Sequence, residues 1–287
     1  MKPGWSTNSI DGDPHAALPW LADLGFASLA ITPDHQLLNP FATNYAEEVL
    51  TWQRSLESRA FACVVETGAR HLLDPFQKHE PTLLSAASSD RARRGDFLRR
   101  AIDLAIALGA SCVSLWSGVV RDAAVDAQLW ERLCESLKPV VDYAEERRMP
   151  LGFEPEPGMF VDTLARFDEL RDRLGYPPHF RLTIDTGHME CMGEWPLAAT
   201  LRERVADLVN VHLDDMRPCI HEHLPLGGGI LDFPPLFAAL REGNYTGGIH
   251  TELPRQAHRW VTEASQTAAF LRRLGVSSVA APRQPTL

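Results

Sequence analysis

Little in this sequence ties it to a membrane, an oxidising compartment or a nucleic acid. The five cysteines, Cys63, Cys112, Cys134, Cys191 and Cys219, are scattered, odd in number and without CxxC pairing, so a reducing compartment is expected and a disulfide framework is not. No apolar run is long enough to span a bilayer, and the opening Met1-Lys2-Pro3-Gly4-Trp5-Ser6 lacks the apolar stretch of a signal peptide. The expected location is cytoplasmic, with no membrane partner. Basic charge is short: 28 Lys and Arg stand against 38 Asp and Glu, a net charge of -10, which argues against a nucleic-acid backbone as the main partner. Neither a GxGxxG nor a Walker signature follows any strand-like run, and that counts against a doubly wound open sheet.

What the chain does carry is alternation. Its 287 residues, 45% hydrophobic and 23% charged, have the composition of a globular protein. Apolar, β-prone runs lie near 3–8, 26–33, 61–67, 111–117, 150–156, 180–186, 207–213 and 247–253. Helical patterns fill 14–24, 43–58, 90–108, 125–148, 161–174, 195–204, 233–242 and 257–274. The helix over 90–108 should start at Asp90 and stop at Gly109; the one over 233–242 should have Asp232 as its cap and Pro234 and Pro235 in its first turn. Eight strand–helix units predict an α/β fold, a single (β/α)8 TIM barrel over 1–275, followed by a frayed tail over 276–287. Two long polar loops, 67–89 and 214–231, follow strands and should cover substrate on the rim where strand ends converge.

Four runs end in residue types that bind divalent metals: Gly152-Phe153-Glu154-Pro155-Glu156, Leu182-Thr183-Ile184-Asp185-Thr186-Gly187-His188, Val209-Asn210-Val211-His212 and Gly248-Ile249-His250-Thr251-Glu252. In a barrel these ends meet at one rim, so Glu154, Asp185, His212 and Glu252 can offer three carboxylates and an imidazole to one ion of Mn, Co, Mg or Zn. Each also has an ordinary explanation: Glu154 as a solvated or paired acid, Asp185 as a helix cap, His212 as a satisfied core histidine. Four such coincidences at four strand ends favour the metal. Glu156, two residues beyond Glu154, should face the same side as a substrate contact or a supporting carboxylate. Gly187 should let the chain turn so that Asp185 and His188 both face the mouth. Period two sets Asn210, His212 and Asp214 on one face, with Asp214 as a loop acid or an orienter of the imidazole. Trp5, Trp116 and Trp195 offer ring faces for a sugar or for core packing. Arg70, Lys78 and His79 could bind an anionic group, or belong to a solvated loop.

The order Glu154, Asp185-Thr186-Gly187-His188, His212 and Glu252, with His221, His223, Gly227 and Gly229 between the last two, resembles the xylose isomerase-like TIM barrel superfamily. That group includes sugar and sugar-phosphate isomerases and epimerases, inosose dehydratases and endonuclease IV repair enzymes. The resemblance follows the strand order of essentially the whole chain, with its specific motifs inside 150–255. It implies that Glu154, Asp185, His212 and Glu252 hold one ion, that Glu154 and Glu252 double as the acid/base pair, and that His188 hydrogen-bonds substrate. Arg217 would be a further substrate contact, and Glu156, Trp116 and His223 are candidates for the same role from their own placement. Two departures limit it. The further Glu that the epimerases carry six residues beyond the first ligand is Phe160 here, and the histidines that endonuclease IV needs on strands three and four are replaced by Glu66 and Trp116. His188, His221 and His223 still occupy the places of ligands to a second metal.

The implied activity is isomerisation or epimerisation of a sugar, sugar phosphate or keto-polyol. One glutamate removes the proton alpha to the carbonyl and the other returns it, with the ion stabilising the enediolate. The rivals are an inosose dehydratase-like lyase, a two-metal hydrolase or phosphodiesterase, and a barrel that only binds a metabolite. A homo-oligomer stays open.

Overall fold

The computed structural model describes residues 1–276. Its strands are β1 (Lys2–Ser6), β2 (Ser28–Ile31), β3 (Ala62–Glu66), β4 (Val113–Leu115), β5 (Leu151–Phe153), β6 (Phe180–Asp185), β7 (Leu208–Leu213), β8 (Asp215–Arg217), β9 (Ile220–Leu224) and β10 (Gly248–Thr251). All but β8 and β9 form a closed parallel barrel, in which β10 pairs with both β7 and β1. β8 and β9 form a separate antiparallel hairpin between the last two barrel strands. The eight expected barrel strands are all present, and the fold is the (β/α)8 barrel.

The outer faces of the strands are apolar because helices cover them. Phe153 and Phe180 turn outward onto Phe167 of the helix Leu164–Arg173, with ring centroids 5.6 to 6.2 Å apart. The inner faces carry smaller and more polar side chains, as a narrow barrel requires. Ala30, Val64 and Cys112 make a small apolar cluster there, apart from the main core. His250 fills volume left by two glycines: a Cβ on Gly4 would lie 2.3 Å from its ring, and one on Gly248 would lie 2.2 Å away. The barrel is therefore a packed floor, and only its carboxyl-terminal rim is open to chemistry.

Several expected boundaries move. The first long helix is Ser88–Leu108, so Asp90 stands in its first turn, where its charge suits the helix dipole, and does not cap it. Asp232 is the N-cap of Phe233–Glu242 with the prolines behind it, though its side chain makes no capping hydrogen bond. The helix expected over 195–204 is present as Leu197–Arg204, and a further helix of only seven residues, Thr186–Met192, starts inside the Asp185–His188 motif. The stretch 214–231 contains the hairpin; His221, Glu222 and His223 in β9 hide its strand character behind polar side chains. Val276 of the expected tail packs into the core, and 277–287 lie outside the described residues. No described helix is long and apolar enough to cross a membrane.

Candidate active site

The barrel ladder sets the four strand-end residues. Glu154 follows β5 directly and its N–H donates to the Leu115 carbonyl at 2.8 Å; Glu252 follows β10 and its N–H donates to the Leu213 carbonyl at 3.2 Å. Asp185 ends β6, and His212, its register partner, lies on β7. One donor atom from each of Glu154, Asp185, His212 and Glu252 lies within 4.8 Å of the others. His212 Nδ1 is 3.0 Å from Glu154 Oε1 and 3.1 Å from Glu252 Oε2. Asp185 Oδ1 accepts from the Gly187 and His188 N–H groups at 2.7 and 2.9 Å, while its Oδ2 is buried without a partner. Asp185 is thus a helix cap and also has an oxygen left over. A buried, unpaired carboxylate oxygen is costly unless a cation meets it. Three carboxylates and one imidazole are a donor set suited to Mn, Co, Mg or Zn, so the residues fit a divalent ion.

Charge in this cluster is shared between acids and imidazoles. Burial works against ionised Glu154, but His212 and His188 hold its carboxyl well below the usual range. Burial also opposes a charged His212, yet Glu154, Glu66 and Glu252 raise it well above the usual imidazole value. His188 is raised to about 9 by Asp185 and Glu154 against the effect of burial. Glu156 behaves oppositely: burial first, then Glu154, Glu252 and Asp185, push its carboxyl up to about 8 despite His188. Asp214 is also pushed well up, by burial and by neighbouring Asp185.

The hairpin brings a second group to the rim. His188 Nε2 is 3.1 Å from His221 Nε2, which is 3.2 Å from His223 Nε2. Burial lowers His221 and His223 to about 4, so both are neutral near pH 7. Behind them His223 Nδ1 meets Asp214 Oδ2 at 2.5 Å. Asp215 fastens the loop by accepting from the N–H groups of Met216, Gly227 and Leu231 at 2.9, 2.9 and 3.0 Å. A cavity of about 400 Å³ opens over both groups, lined also by Glu156, Trp116, Asn8, Arg70, Lys78, His79 and Arg255.

Comparisons with known proteins identify the family and the fold. Residues 18–274 match the family model of the xylose isomerase-like TIM barrel. The chain belongs to that family. It is 25% identical over 226 residues to L-ribulose-5-phosphate 3-epimerase UlaE of Salmonella paratyphi C, covering 77% of this chain and 75% of that protein. Among solved structures it resembles a D-tagatose 3-epimerase-like protein, with a TM-score of 0.75 and 18% identity over 96% of this chain and 98% of that one. It also resembles D-allulose 3-epimerase from Methylomonas sp. in complex with D-allulose, with a TM-score of 0.74 and 20% identity over 95% and 96% of the two chains.

Within the family frame, the structure sorts the expected residues. Glu156, Trp116, His188, His221 and His223 line the cavity, as do Arg70, Lys78 and His79. Arg217 does not: it is exposed on the hairpin and pairs with Glu222. Trp116 is stacked 4.4 Å from the buried Arg94 guanidinium, whereas Trp5 is core beside Phe26, and exposed Trp195 donates to Glu190 at 2.9 Å. Phe160, in the place of the family's further Glu, is buried 4.8 Å from the Trp130 ring. Gly187 matters for a different reason from the one expected. It adopts a helical turn, and a Cβ there would lie 2.0 Å from Asp214 Oδ1. Sequence reasoning passed over Asn8, whose Nδ2 donates to Glu252 Oε1 at 2.6 Å, and Arg255, which is tied to the His221 carbonyl at 2.9 Å. The only signal for Asn8 was a polar residue just past the first strand.

Proposed function

We propose that this protein is a divalent-metal-dependent ketose epimerase or isomerase. One observation carries the reading: two carboxylates, Glu154 and Glu252, approach the same His212 nitrogen from the ends of β5 and β10, at 3.0 and 3.1 Å. In the barrel order β5 and β10 flank the β6–β7 pair, so a substrate lying over Asp185 and His212 meets a carboxylate from each side. A bound divalent ion would act there as a Lewis acid for the negative charge that develops when a proton leaves the carbon beside a carbonyl. One glutamate takes that proton and the other, protonated beforehand, delivers one to the carbon, and proton exchange with solvent resets the pair for the next turnover. Asn8 keeps Glu252 Oε1 in a fixed direction through its 2.6 Å hydrogen bond. Trp116 supplies a ring wall, and Glu156, His188 and His223 supply polar contacts for substrate hydroxyls.

The substrate class that fits best is a ketose or ketose phosphate. The relatives matched by sequence are named for L-ribulose 5-phosphate, and Arg70, Lys78 and Arg255 line this cavity with positive charge for such a group. Five free cysteines suit a cytoplasmic setting. The test is proton exchange. With Mn(II) in deuterated water, L-ribulose 5-phosphate, D-tagatose and D-allulose are each incubated with the protein and followed by NMR. At least one should gain a single deuterium beside its carbonyl and give a second sugar. No incorporation with any of them, while Glu154→Gln still binds the ligand as wild type does, would leave a binding protein instead.

A second reading has one observation in its favour. Nitrogens around a tetrahedral zinc stand roughly 3.3 Å apart, close to the 3.1 and 3.2 Å between the Nε2 atoms of His188, His221 and His223. A second ion there would support a two-metal hydrolase. Cleavage of a model phosphodiester that disappears in His221→Gln would favour it.

A further inference from the structure

We infer that Glu66 is a positioning residue that holds the outer N–H of His212, with Nδ1 turned to the metal centre. The inference rests on the metal-centre reading above and concerns a residue that is outside the four-ligand group. Glu66 ends β3, across the barrel from His212, and is buried at the rim. Its Oε1 is 2.9 Å from His212 Nε2 and 2.9 Å from Asn210 Nδ2.

The proton positions follow from a chain of partners across the barrel floor. Ser28 Oγ lies 2.8 Å from His250 Nε2, and His250 Nδ1 lies 2.8 Å from Asn210 Oδ1. The His250 ring brings an N–H proton to this chain. Placed on Nδ1, it donates to the Asn210 carbonyl, while Nε2 accepts from the Ser28 hydroxyl. Turning the Asn210 amide over would set its oxygen against the Glu66 oxygen at 2.9 Å, two acceptors without a hydrogen between them. The amide nitrogen therefore faces Glu66 and donates to it.

His212 meets the same carboxylate. With Nδ1 given to an ion, the remaining ring proton of His212 sits on Nε2 and donates to Glu66 Oε1 at 2.9 Å. The opposite nitrogen, Nδ1, is left to face Glu154 Oε1 and Glu252 Oε2. A carboxylate that takes the outer N–H of a ligating imidazole orients the ring and makes the inner nitrogen a better donor. Strand β3 thus contributes to the centre through β7 without lending an atom to it. Asn210 and His250 complete the support, because they stop Glu66 Oε1 from turning to a different partner.

The experiment measures Co(II) binding by its visible absorption, with no sugar present, in wild type, Glu66→Gln and Glu66→Ala. Outer partners of this kind change metal affinity by about 10–100-fold. Glu66→Ala should weaken Co(II) binding by about that factor, and Glu66→Gln, whose amide oxygen can still accept from Nε2, should fall between it and wild type. Histidine-ring ¹⁵N spectra of the zinc-loaded wild type should show His212 protonated at Nε2, a readout that a filler role for Glu66 would not fix. A wild-type His212 protonated at Nδ1, or Glu66→Ala binding Co(II) within twofold of wild type, overturns the inference and leaves the metal centre standing. If Glu66→Ala does not fold, Glu66→Gln and the wild-type spectrum decide: unchanged affinity together with an Nδ1 proton overturns it. Wild type that binds no Co(II) at all overturns the metal-centre reading and this inference with it.

Discussion

Two of the groups of metal-capable side chains at the rim of the barrel are held by different kinds of structure. Glu154, Asp185, His212 and Glu252 each stand on, or directly after, a strand of the closed barrel, so moving any of them means breaking ladder hydrogen bonds. His188, His221 and His223 come from the first turn of a seven-residue helix and from a two-stranded hairpin that is partly exposed. The first group is buried among acids that demand a cation; the second is three imidazoles, two of them neutral near pH 7. A rigid frame suits a group that must keep proton-transfer geometry within tenths of an ångström, and an appended hairpin suits contacts that adapt to a substrate.

The sharpest way to break this contrast is to mutate both sides. Glu154→Gln or Glu252→Gln should lower kcat by about 10²–10⁴-fold with the fold retained, the usual cost of losing a general acid or base. His221→Gln should act mainly on KM. If the hairpin variant loses as much kcat as the glutamate variants, the two regions share the chemistry and the contrast fails. Next in size is the fastening of the hairpin. Asp215→Ala removes the acceptor for three N–H groups, and each N–H left buried without a partner costs about 1–3 kcal/mol. Urea unfolding should show that loss, and KM should rise while metal affinity stays within a few-fold. Gly187→Ala joins the two regions, since its Cβ would lie 2.0 Å from Asp214 Oδ1. Overpacking of this kind costs about 1–3 kcal/mol, and a lowered Tm is the readout; an unchanged Tm would mean that Asp214 moves freely.

An effect graded with pH concerns the floor beneath both groups. Burial holds His250 neutral with its pKa lowered from 6.5 to about 3. Between those values the unfolded chain binds a proton that the native state refuses. The stabilisation is therefore complete above pH 6.5 and is lost as pH falls through the window, with a slope of up to about one proton. Unfolding free energies of wild type and His250→Gln between pH 7 and 4 should differ by that slope, and parallel curves would contradict it.

How much of this was legible in the sequence follows the same division. The strand-end residues could be read because these strands are apolar on the helix-covered face and carry small or neutral side chains on most of the other, which makes a terminal Glu, Asp or His stand out. Ile220-His221-Glu222-His223-Leu224 could not, since its short strand has polar side chains where a strand pattern needs apolar ones. The double role of Asp185 was half visible: the cap and the ligand looked like rivals, and the structure gives one oxygen to each. Glu66 appeared in sequence only as a missing histidine, and its contact with His212 spans 146 positions. Asn8 meets Glu252 across 244 positions, a pairing that only barrel closure creates. Arg217, placed near the substrate by analogy, is taken up by Glu222 because the hairpin sets the two charges side by side.

The most direct test of the account is the metal content of purified protein and two of its variants. It predicts one divalent ion per chain in wild type, one in the His221→Gln/His223→Gln double variant, and none tightly held in Asp185→Ala. An ion that survives Asp185→Ala and leaves with the two hairpin histidines would contradict it.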